Sequence, residues 1–426
     1  MPSEQAAARP PDRVYVWVWL PGATEPVVAG VLSRVGTIIV FRYAQSYQAL
    51  DKAVPLYLPE LPLGDAVILP EPPRTLAGCI HDGTPDSWGM RVVLERPGLS
   101  EIEGVDELSP FTYMVESASD RFGALDFQLS PTEYVPRLPS APLEELLSAV
   151  ERVDAGEPLS PELASAIIAG SSLGGARPKV SLRSGDRSLI AKFSSRTDQY
   201  AVVKAEGVAM NLARRVGLDA APTSVEECAG KDVLLVERFD RTPLDGERKM
   251  TVSALTVLGL DLASEGHYAT YHDLADAIRQ RFTKADATLR ELFERMVFNI
   301  CIGNTDDHAR NHAAFWDGGA EELSLTPAYD ICPQMRSGGE ASQAMAIRPG
   351  GGGKLSNLAN CLAAAPIYHL TANEARALID AQLHVIRTRW DAACEETRLT
   401  AADRRRMWGT MVLNPYCLEG YDPVDD

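Results

Sequence analysis

The apolar residues of this chain change their spacing near residue 250, and that change limits the folds open to it. Before it, Val14–Leu20 (VYVWVWL) and Gly36–Tyr43 (GTIIVFRY) are rich in β-branched and aromatic residues and bounded by Pro or Gly, as is typical of strands. After it, apolar residues recur at helical spacing, as in Leu289, Leu292, Phe293, Met296, Val297 and Ile300. The pattern predicts an α+β chain with a β-rich first part and an α-helical second part.

The length of the chain, 426 residues, exceeds what a single hydrophobic core supports. A proline cluster at Pro131, Pro136, Pro139 and Pro142 precedes the helical pattern LEELLSAVERV, which places a boundary near residue 136. We therefore predict three segments, at 13–135, 136–245 and 246–426.

Local signals predict further elements. Thr84 can cap a helix that has Pro85 in its first turn. Strands Lys179–Arg183 and Ser188–Phe193 flank a tight turn, and a helix over 205–216 and a strand over 232–239 follow. This order is that of a nucleotide-binding β-rich lobe, although it is weak evidence alone. The glycine-rich run 348–357 is predicted to be a mobile surface loop.

Composition excludes several classes of protein. The formal net charge of −18 opposes direct binding to nucleic acid, so a basic partner is easier to accommodate. Seven scattered cysteines without a CxxC pair argue against a zinc site or a disulfide scaffold. The first residues lack a signal-peptide pattern, and no apolar run approaches a membrane span, so we expect a cytoplasmic protein with no membrane association.

The segment Asn304–Trp316 (NTDDHARNHAAFW) carries the strongest chemical signal. Asp306 and Asn311 stand five positions apart, as in a kinase catalytic loop, where the carboxylate accepts the proton of the attacking hydroxyl and the amide oxygen binds Mg²⁺. Asp330, in LTPAYDI, follows at a distance that one short hairpin would span, and it suits a second metal ligand. We expect His308 to support the same loop.

Two further segments fit a nucleotide site less specifically. Lys192 lies on a predicted strand, where its ammonium could reach α- and β-phosphates, and Glu206 opens the next helix and could form an ion pair with it. Gly170–Lys179 (GSSLGGARPK) could bring backbone amides to an anion, with charge added by Arg177 or Lys179, although it matches neither the P-loop nor the kinase glycine pattern.

Six motifs, in this order, resemble those of the HipA-like serine/threonine kinases, which are toxins of bacterial type II toxin–antitoxin modules. The motifs are DGTPDSWGMRVV (82–93), RFGALDF (121–127), SSLGGARPK (171–179), LLVERFDR (234–241), GNTDDHARNHAAF (303–315) and LTPAYDI (325–331). The resemblance covers nearly the whole chain. It implies a bilobal kinase-like fold with an extra N-terminal subdomain.

The resemblance also implies roles for individual residues and for partners. Asp306, with His308 and Arg310, would be catalytic, Asn311 and Asp330 would bind magnesium, and ATP would contact Ser172, Gly174, Gly175, Ala176, Lys179, Lys192, Glu206, Glu237 and Phe239. Ser172 would be autophosphorylated, and its added charge would repel the triphosphate and switch the kinase off. The acceptor would be an aminoacyl-tRNA synthetase, and a small helix-turn-helix antitoxin would supply DNA binding.

Two alternatives stay open. A small-molecule phosphotransferase, acting on an antibiotic or a sugar, can use the same Asp–Asn spacing before a metal-binding Asp. An inactive scaffold of a repressor complex is the other, although the presence of Lys192, Asp306, Asn311 and Asp330 argues against it.

Overall fold

The computed structural model describes residues 11–95, 108–138, 141–157, 159–160, 163–164, 167, 177–242, 246–336 and 338–424. The chain forms two compact units. The first takes in the described residues up to Arg196 together with Cys228–Gly230 and Asp240–Thr251; the second takes in Thr197–Glu227, Lys231–Phe239 and the described residues from Val252 onward. The three-segment division made from the sequence remains a prediction.

The first unit is built on an antiparallel sheet with strand order β3-β2-β1-β4. Its strands are β1 (Arg13–Val18), β2 (Val27–Val35), β3 (Ile38–Tyr43) and β4 (Leu125–Gln128). In the central strand β1, Val14, Val16 and Val18 are fully buried. This two-residue period is what a strand with one face on the core requires.

In the described part of the first unit, five helices pack around this sheet or follow it. They are α1 (Gln45–Gln48), α2 (Gly78–His81), α3 (Ser87–Leu94), α4 (Pro110–Glu116) and α5 (Leu143–Ala155). The predicted cap of α3 was wrong. Asp86 occupies the N-cap and its Oδ1 accepts from Gly89 N at 3.0 Å, whereas the hydroxyl of Thr84 donates to the carbonyl of His81 at 2.7 Å. A carboxylate at the N-cap satisfies an unpaired amide of the first turn.

The predicted hairpin is present as β5 (Lys179–Ser184) and β6 (Arg187–Phe193), which pair antiparallel. Gly185 turns the chain with φ +63°, a conformation that glycine adopts without strain. Val180, Leu189 and Ala191 are buried, as expected for the apolar face.

The second unit is mostly helical. Its elements, in chain order, are α6 (Val202–Arg215), β7 (Thr223–Cys228), β8 (Lys231–Glu237), β9 (Thr251–Ser253), α7 (Ala254–Val257), α8 (Leu262–Glu265), α9 (Tyr271–Arg281), α10 (Ala285–Ile302), β10 (Ala313–Asp317), β11 (Glu322–Leu325), α11 (Leu358–Ala364), α12 (Ala372–Glu396) and α13 (Ala401–Met407). Strands β10 and β11 form the predicted short hairpin before Asp330, and β9 lies beside β10.

Helix α10 is the core helix of the second unit, and its predicted apolar stripe is buried along its whole length. The helix ends at Gly303, where φ is +77°. A Cβ at this position would collide with the backbone of Met411. Glycine is therefore required at position 303 for two reasons, its backbone conformation and its lack of a side chain. The turn leads directly into the segment 304–312.

Among the described residues, none of the helices has both the length and the apolar character needed to span a membrane.

Candidate active site

The loop that follows α10 is held by a buried carboxylate, Asp307. Its Oδ2 accepts hydrogen bonds from the Tyr271 hydroxyl, from Asn299 Nδ2 at 2.8 Å and from His312 Nε2 at 2.9 Å. Burial would raise the pKa of Asp307, but the nearby His312 and the hydrogen bonds from His312 and Tyr271 lower it overall. Asp307 therefore stays ionised and ties α9, α10 and the loop together.

The neighbouring carboxylate, Asp306, is exposed instead. Partial desolvation raises its pKa; His308 opposes this, whereas the charges of Asp330 and Asp307 raise it further. The structure thus brings Asp306 and Asp330 close enough for their charges to repel. Asn311 belongs to the same group, since its Nδ2 lies 3.4 Å from the carbonyl oxygen of Asp306.

Asp330 is fixed by the residues around it. Its φ of +60° is unusual for a residue other than glycine, and it follows Tyr329, whose hydroxyl donates to the carbonyl of Arg310 at 2.7 Å. The ring of Tyr329 packs against Phe239 with centroids 5.4 Å apart. Strain of this kind at a site residue is kept only where the surroundings enforce it.

These residues fit a magnesium-bound nucleotide. The carboxylate of Asp330 and the amide oxygen of Asn311 are hard oxygen donors of the type that Mg²⁺ prefers, and a cation would relieve the repulsion between Asp306 and Asp330. Within the described part of the chain, no group of three or more His, Cys, Asp and Glu residues could hold a metal ion by itself. That is compatible with Mg²⁺, which is usually bound by one or two carboxylates together with phosphates.

In the first unit, the predicted phosphate-binding lysines face each other. Lys179 in β5 and Lys192 in β6 are direct cross-strand partners, and both are buried. Side chains opposite each other in a hairpin share a face, so two ammonium groups concentrate positive charge there. Trp88 Nε1 donates to the carbonyl of Lys179 at 3.0 Å and holds the start of β5. The other predicted members of this loop, Ser172, Gly174, Gly175 and Ala176, lie outside the described residues.

Three predicted nucleotide-site residues belong to the second unit. Glu206 is buried in α6. Glu237 ends β8, and its amide donates to the carbonyl of Pro222 at 2.9 Å. The ring of Phe239 packs edge-on against Phe315 with centroids 5.9 Å apart. The predicted roles of these residues, and the predicted Lys192–Glu206 ion pair, remain predictions.

A polar network in the first unit was not anticipated from the sequence. Arg241 Nη2 donates to Asp120 Oδ1 at 2.8 Å, and Arg241 Nη1 donates to Asp240 Oδ2 at 3.0 Å, while that same oxygen accepts from Gly123 N at 2.8 Å. Asp120 also accepts from the hydroxyl of Ser181 in β5. The one available signal was that these residues lie in or beside two of the motifs, RFGALDF and LLVERFDR.

Arg121 forms a second buried network nearby. Its Nε donates to Asp126 Oδ1 at 2.8 Å and its Nη1 to the carbonyl of Gly83 at 3.0 Å. Burial lowers the pKa of Arg121 to about 10, and Asp126 opposes that shift. Arg137 also donates to Asp126 Oδ1, at 3.0 Å. This network joins two of the sequence motifs, at Gly83 and at 121–126, through side chains that hold the fold together.

Comparison with known proteins agrees with this architecture. A chain in the structure of the Shewanella oneidensis MR-1 toxin–antitoxin complex of HipA, HipB and operator DNA matches with a TM-score of 0.64 and 19% identity, over 95% of this chain and 98% of that chain. At this identity the match shows the fold, and it confirms the predicted α+β, kinase-like fold.

Two curated relatives match over shorter stretches. The protein named "Putative kinase Y4mE" of Sinorhizobium fredii is 28% identical over 257 residues, 54% of this chain and 58% of the relative. The protein named "Serine/threonine-protein kinase toxin HipA" of Shewanella oneidensis is 28% identical over 160 residues, 33% of this chain and 36% of the relative. The matched regions therefore span about a third to somewhat over half of these relatives.

A family model described as the HipA-like C-terminal domain matches residues 171–390, which include β5, β6, α10 and the two segments that carry Asp306, Asn311 and Asp330. The match takes in more than half of the chain, so this protein belongs to the HipA-like C-terminal domain family, as its sequence motifs indicated.

Proposed function

We propose that this chain is an ATP- and Mg²⁺-dependent protein serine/threonine kinase. The observation that carries the proposal is the group formed by Asp306, Asn311 and Asp330, in which burial and the charge of Asp330 raise the pKa of Asp306 beside an amide oxygen. Structural side chains are seldom arranged in this way, because repulsion between them destabilises the fold unless a cation or a reaction uses it.

Each residue then has a chemical role. Asp306 accepts the proton of the acceptor hydroxyl, and its raised pKa brings it closer to the operating pH, which favours a general base. His308 lies near enough to favour the ionised form of Asp306. Asn311 and Asp330 supply metal ligands, and Mg²⁺ neutralises phosphate charge when it is bound. Arg310 holds Tyr329, and thereby Asp330, through its backbone carbonyl.

On the nucleotide side, we propose that Lys179 and Lys192 hold the phosphates together with Ser172, Gly174, Gly175 and Ala176. Glu206 would orient Lys192, and Glu237 and Phe239 would contact the adenine. The shared face of Lys179 and Lys192 supports this proposal, because it places two buried cations side by side. Autophosphorylation of Ser172 would inactivate the enzyme by adding negative charge where the triphosphate binds.

We further propose that the kinase is the toxin of a toxin–antitoxin pair. One relative is named a kinase toxin, and the structural match comes from a complex with HipB and operator DNA. The partner would be a small helix-turn-helix antitoxin, with DNA contacted only through it, and the acceptor would be an aminoacyl-tRNA synthetase. A cytoplasmic location stays the prediction made from the sequence.

Incubation of the purified protein with γ-labelled ATP, Mg²⁺ and a bacterial extract tests the activity. Wild type should label protein acceptors and itself, Asp306→Asn should not, and the matched control Asp391→Asn, at an exposed position of α12, should behave as wild type. Ser172→Ala should remove the self-label. Label found only in small molecules would favour the small-molecule phosphotransferase, and absence of any transfer would favour the scaffold.

A further inference from the structure

The second unit contains a cavity of about 610 Å³ that none of the proposed catalytic residues lines. Its walls include His272 at the start of α9, Ser342, and the glycine-rich segment Arg348–Leu355. Arg348, Lys354 and His272 are all basic, in a chain whose net charge is −18. A local group of basic side chains in an acidic protein creates a potential that attracts an anionic ligand.

Hydrogen bonds hold the glycine-rich segment in one defined conformation. Asn360, which is buried, donates from Nδ2 to the carbonyls of Gly352 and Gly353, both at 3.2 Å, and accepts from Arg348 Nε at 2.5 Å. Gly352 has φ +74°, and a Cβ at Gly353 would collide with the backbone of Arg348. The segment therefore has a defined shape that only glycine permits, and Arg348 is held in place by Asn360.

Both walls of the cavity are tied to the catalytic loop. Ala344 N donates to the carbonyl of Thr305, the residue before Asp306, at 3.0 Å, and Lys354 Nζ donates to the carbonyl of Ala344 at 2.9 Å. On the other wall, His272 follows Tyr271, whose hydroxyl donates to Asp307. A ligand in the cavity would thus lie beside the chain segment that carries the proposed base.

One residue of the cavity wall, His272, also has an unsatisfied polar atom. His272 Nδ1 is buried and has no hydrogen-bond partner among the described residues. The carboxylate of Asp273 lies close to His272: its Oδ1 is 3.9 Å from His272 Nε2, and its other oxygen accepts from the hydroxyl of Thr270. A buried nitrogen without a partner costs free energy unless a ligand or water completes it.

From these observations we propose that the cavity binds acidic side chains of the protein acceptor and so selects a serine or threonine within an acidic segment. This proposal rests on the proposed kinase function. Arg348 and Lys354, which line the cavity, bind the carboxylates. An acidic peptide is favoured over a nucleic acid because the walls are linked to the loop whose Asp306 would accept the proton of an acceptor hydroxyl.

Binding of two fluorescein-labelled ten-residue peptides to the full chain tests the proposal without requiring turnover. Each peptide has one central serine; one carries Glu at the flanking positions and the other Gln. Fluorescence anisotropy at low salt should give a Kd about 3- to 30-fold lower for the Glu peptide, as expected for two exposed ion pairs. Arg348→Gln/Lys354→Gln should abolish that preference, and Arg405→Gln, an exposed arginine of α13, should retain it.

The single variant Lys354→Glu guards against misfolding, because Lys354 is exposed and its hydrogen bond to the carbonyl of Ala344 is also exposed. It should remove the preference for the Glu peptide while melting close to wild type. Equal Kd values for the two peptides in a wild-type protein that labels itself with ATP would overturn the cavity proposal and leave the kinase proposal standing. A preference for the Glu peptide that depends on Arg348, in a protein that transfers no phosphate, would support the cavity proposal and overturn the kinase proposal. Tighter binding of a labelled RNA oligonucleotide than of the Glu peptide would also overturn the cavity proposal.

Discussion

Replacing Asp307 by alanine should destabilise the second unit strongly, although the residue has no proposed part in the chemistry. Asp307 accepts three buried hydrogen bonds, from Tyr271, Asn299 and His312. A buried donor left without its acceptor costs about 1–3 kcal/mol, and partial rearrangement makes the sum less than additive, so the loss should be about 3–5 kcal/mol. At roughly 2–4 °C per kcal/mol for a unit of this size, the melting temperature should fall by about 6–20 °C.

The matched control is Asp306→Ala, the same change at the next position. Asp306 is exposed, and its raised pKa means that its ionised form weakens the fold above that pKa, so its removal should leave stability unchanged or increase it slightly. Thermal melts followed by circular dichroism compare the two variants with wild type. If Asp307→Ala melts within roughly 2 °C of wild type, less than one buried hydrogen bond would cost, the anchoring role is wrong.

The loss of stability in Asp307→Ala should depend on pH. Because the folded-state pKa of Asp307 is lowered, its stabilisation is present above the ordinary value of 3.8 and is lost as the pH falls through the lowered folded value. The stability difference between wild type and Asp307→Ala should therefore be full at neutral pH and shrink below pH 3.8. Urea denaturation at several pH values measures this, and a difference that grows as the pH falls would contradict it.

Three further predictions concern the site and the first unit. Asp306→Asn should lower phosphate transfer by ~10²- to 10⁴-fold with a melting temperature equal to wild type or up to about 3 °C higher; a less stable variant would contradict the electrostatic argument. Arg121→Met should cost about 3–5 kcal/mol, because it breaks a fully buried pair with Asp126, whereas Arg42→Met at an exposed position of β3 should be nearly neutral in urea denaturation. Trp88→Phe removes the hydrogen bond to the carbonyl of Lys179 and should raise the KM for ATP more than it lowers kcat, as steady-state kinetics would show; an unchanged KM would count against a positioning role.

Much of the secondary structure could be predicted, because local apolar spacing decides it. The predicted strand at 232–239 is present as β8 (Lys231–Glu237), and the predicted apolar stripe from Leu289 to Ile300 lies on α10 (Ala285–Ile302). Strands β2 and β4 were not predicted. In β4 all four residues are buried, including the polar Asp126 and Gln128, so the strand lacks the alternation that would identify it.

The site could be predicted only in part, for a physical reason. Asp306, Asn311 and Asp330 were proposed as site residues from spacing, because the chemistry fixes their separation along the chain, and the structure places them close together. Asp307 was given no role from the sequence. Its importance depends on Tyr271, Asn299 and His312, which lie on α9, on α10 and in the loop, and only tertiary packing brings these together.

The contacts of β5 limit where the chain can be cut to isolate the region that the family model matches, 171–390. The matched region begins at residue 171, but Lys179 is held by Trp88, and Ser181 by Asp120, both far upstream. A fragment cut at 171 would lose the indole and the carboxylate that fix the lysine-bearing hairpin. The stretch recognised by sequence comparison is thus shorter than the stretch that must fold together, and any excised version would need its upstream supports restored or replaced.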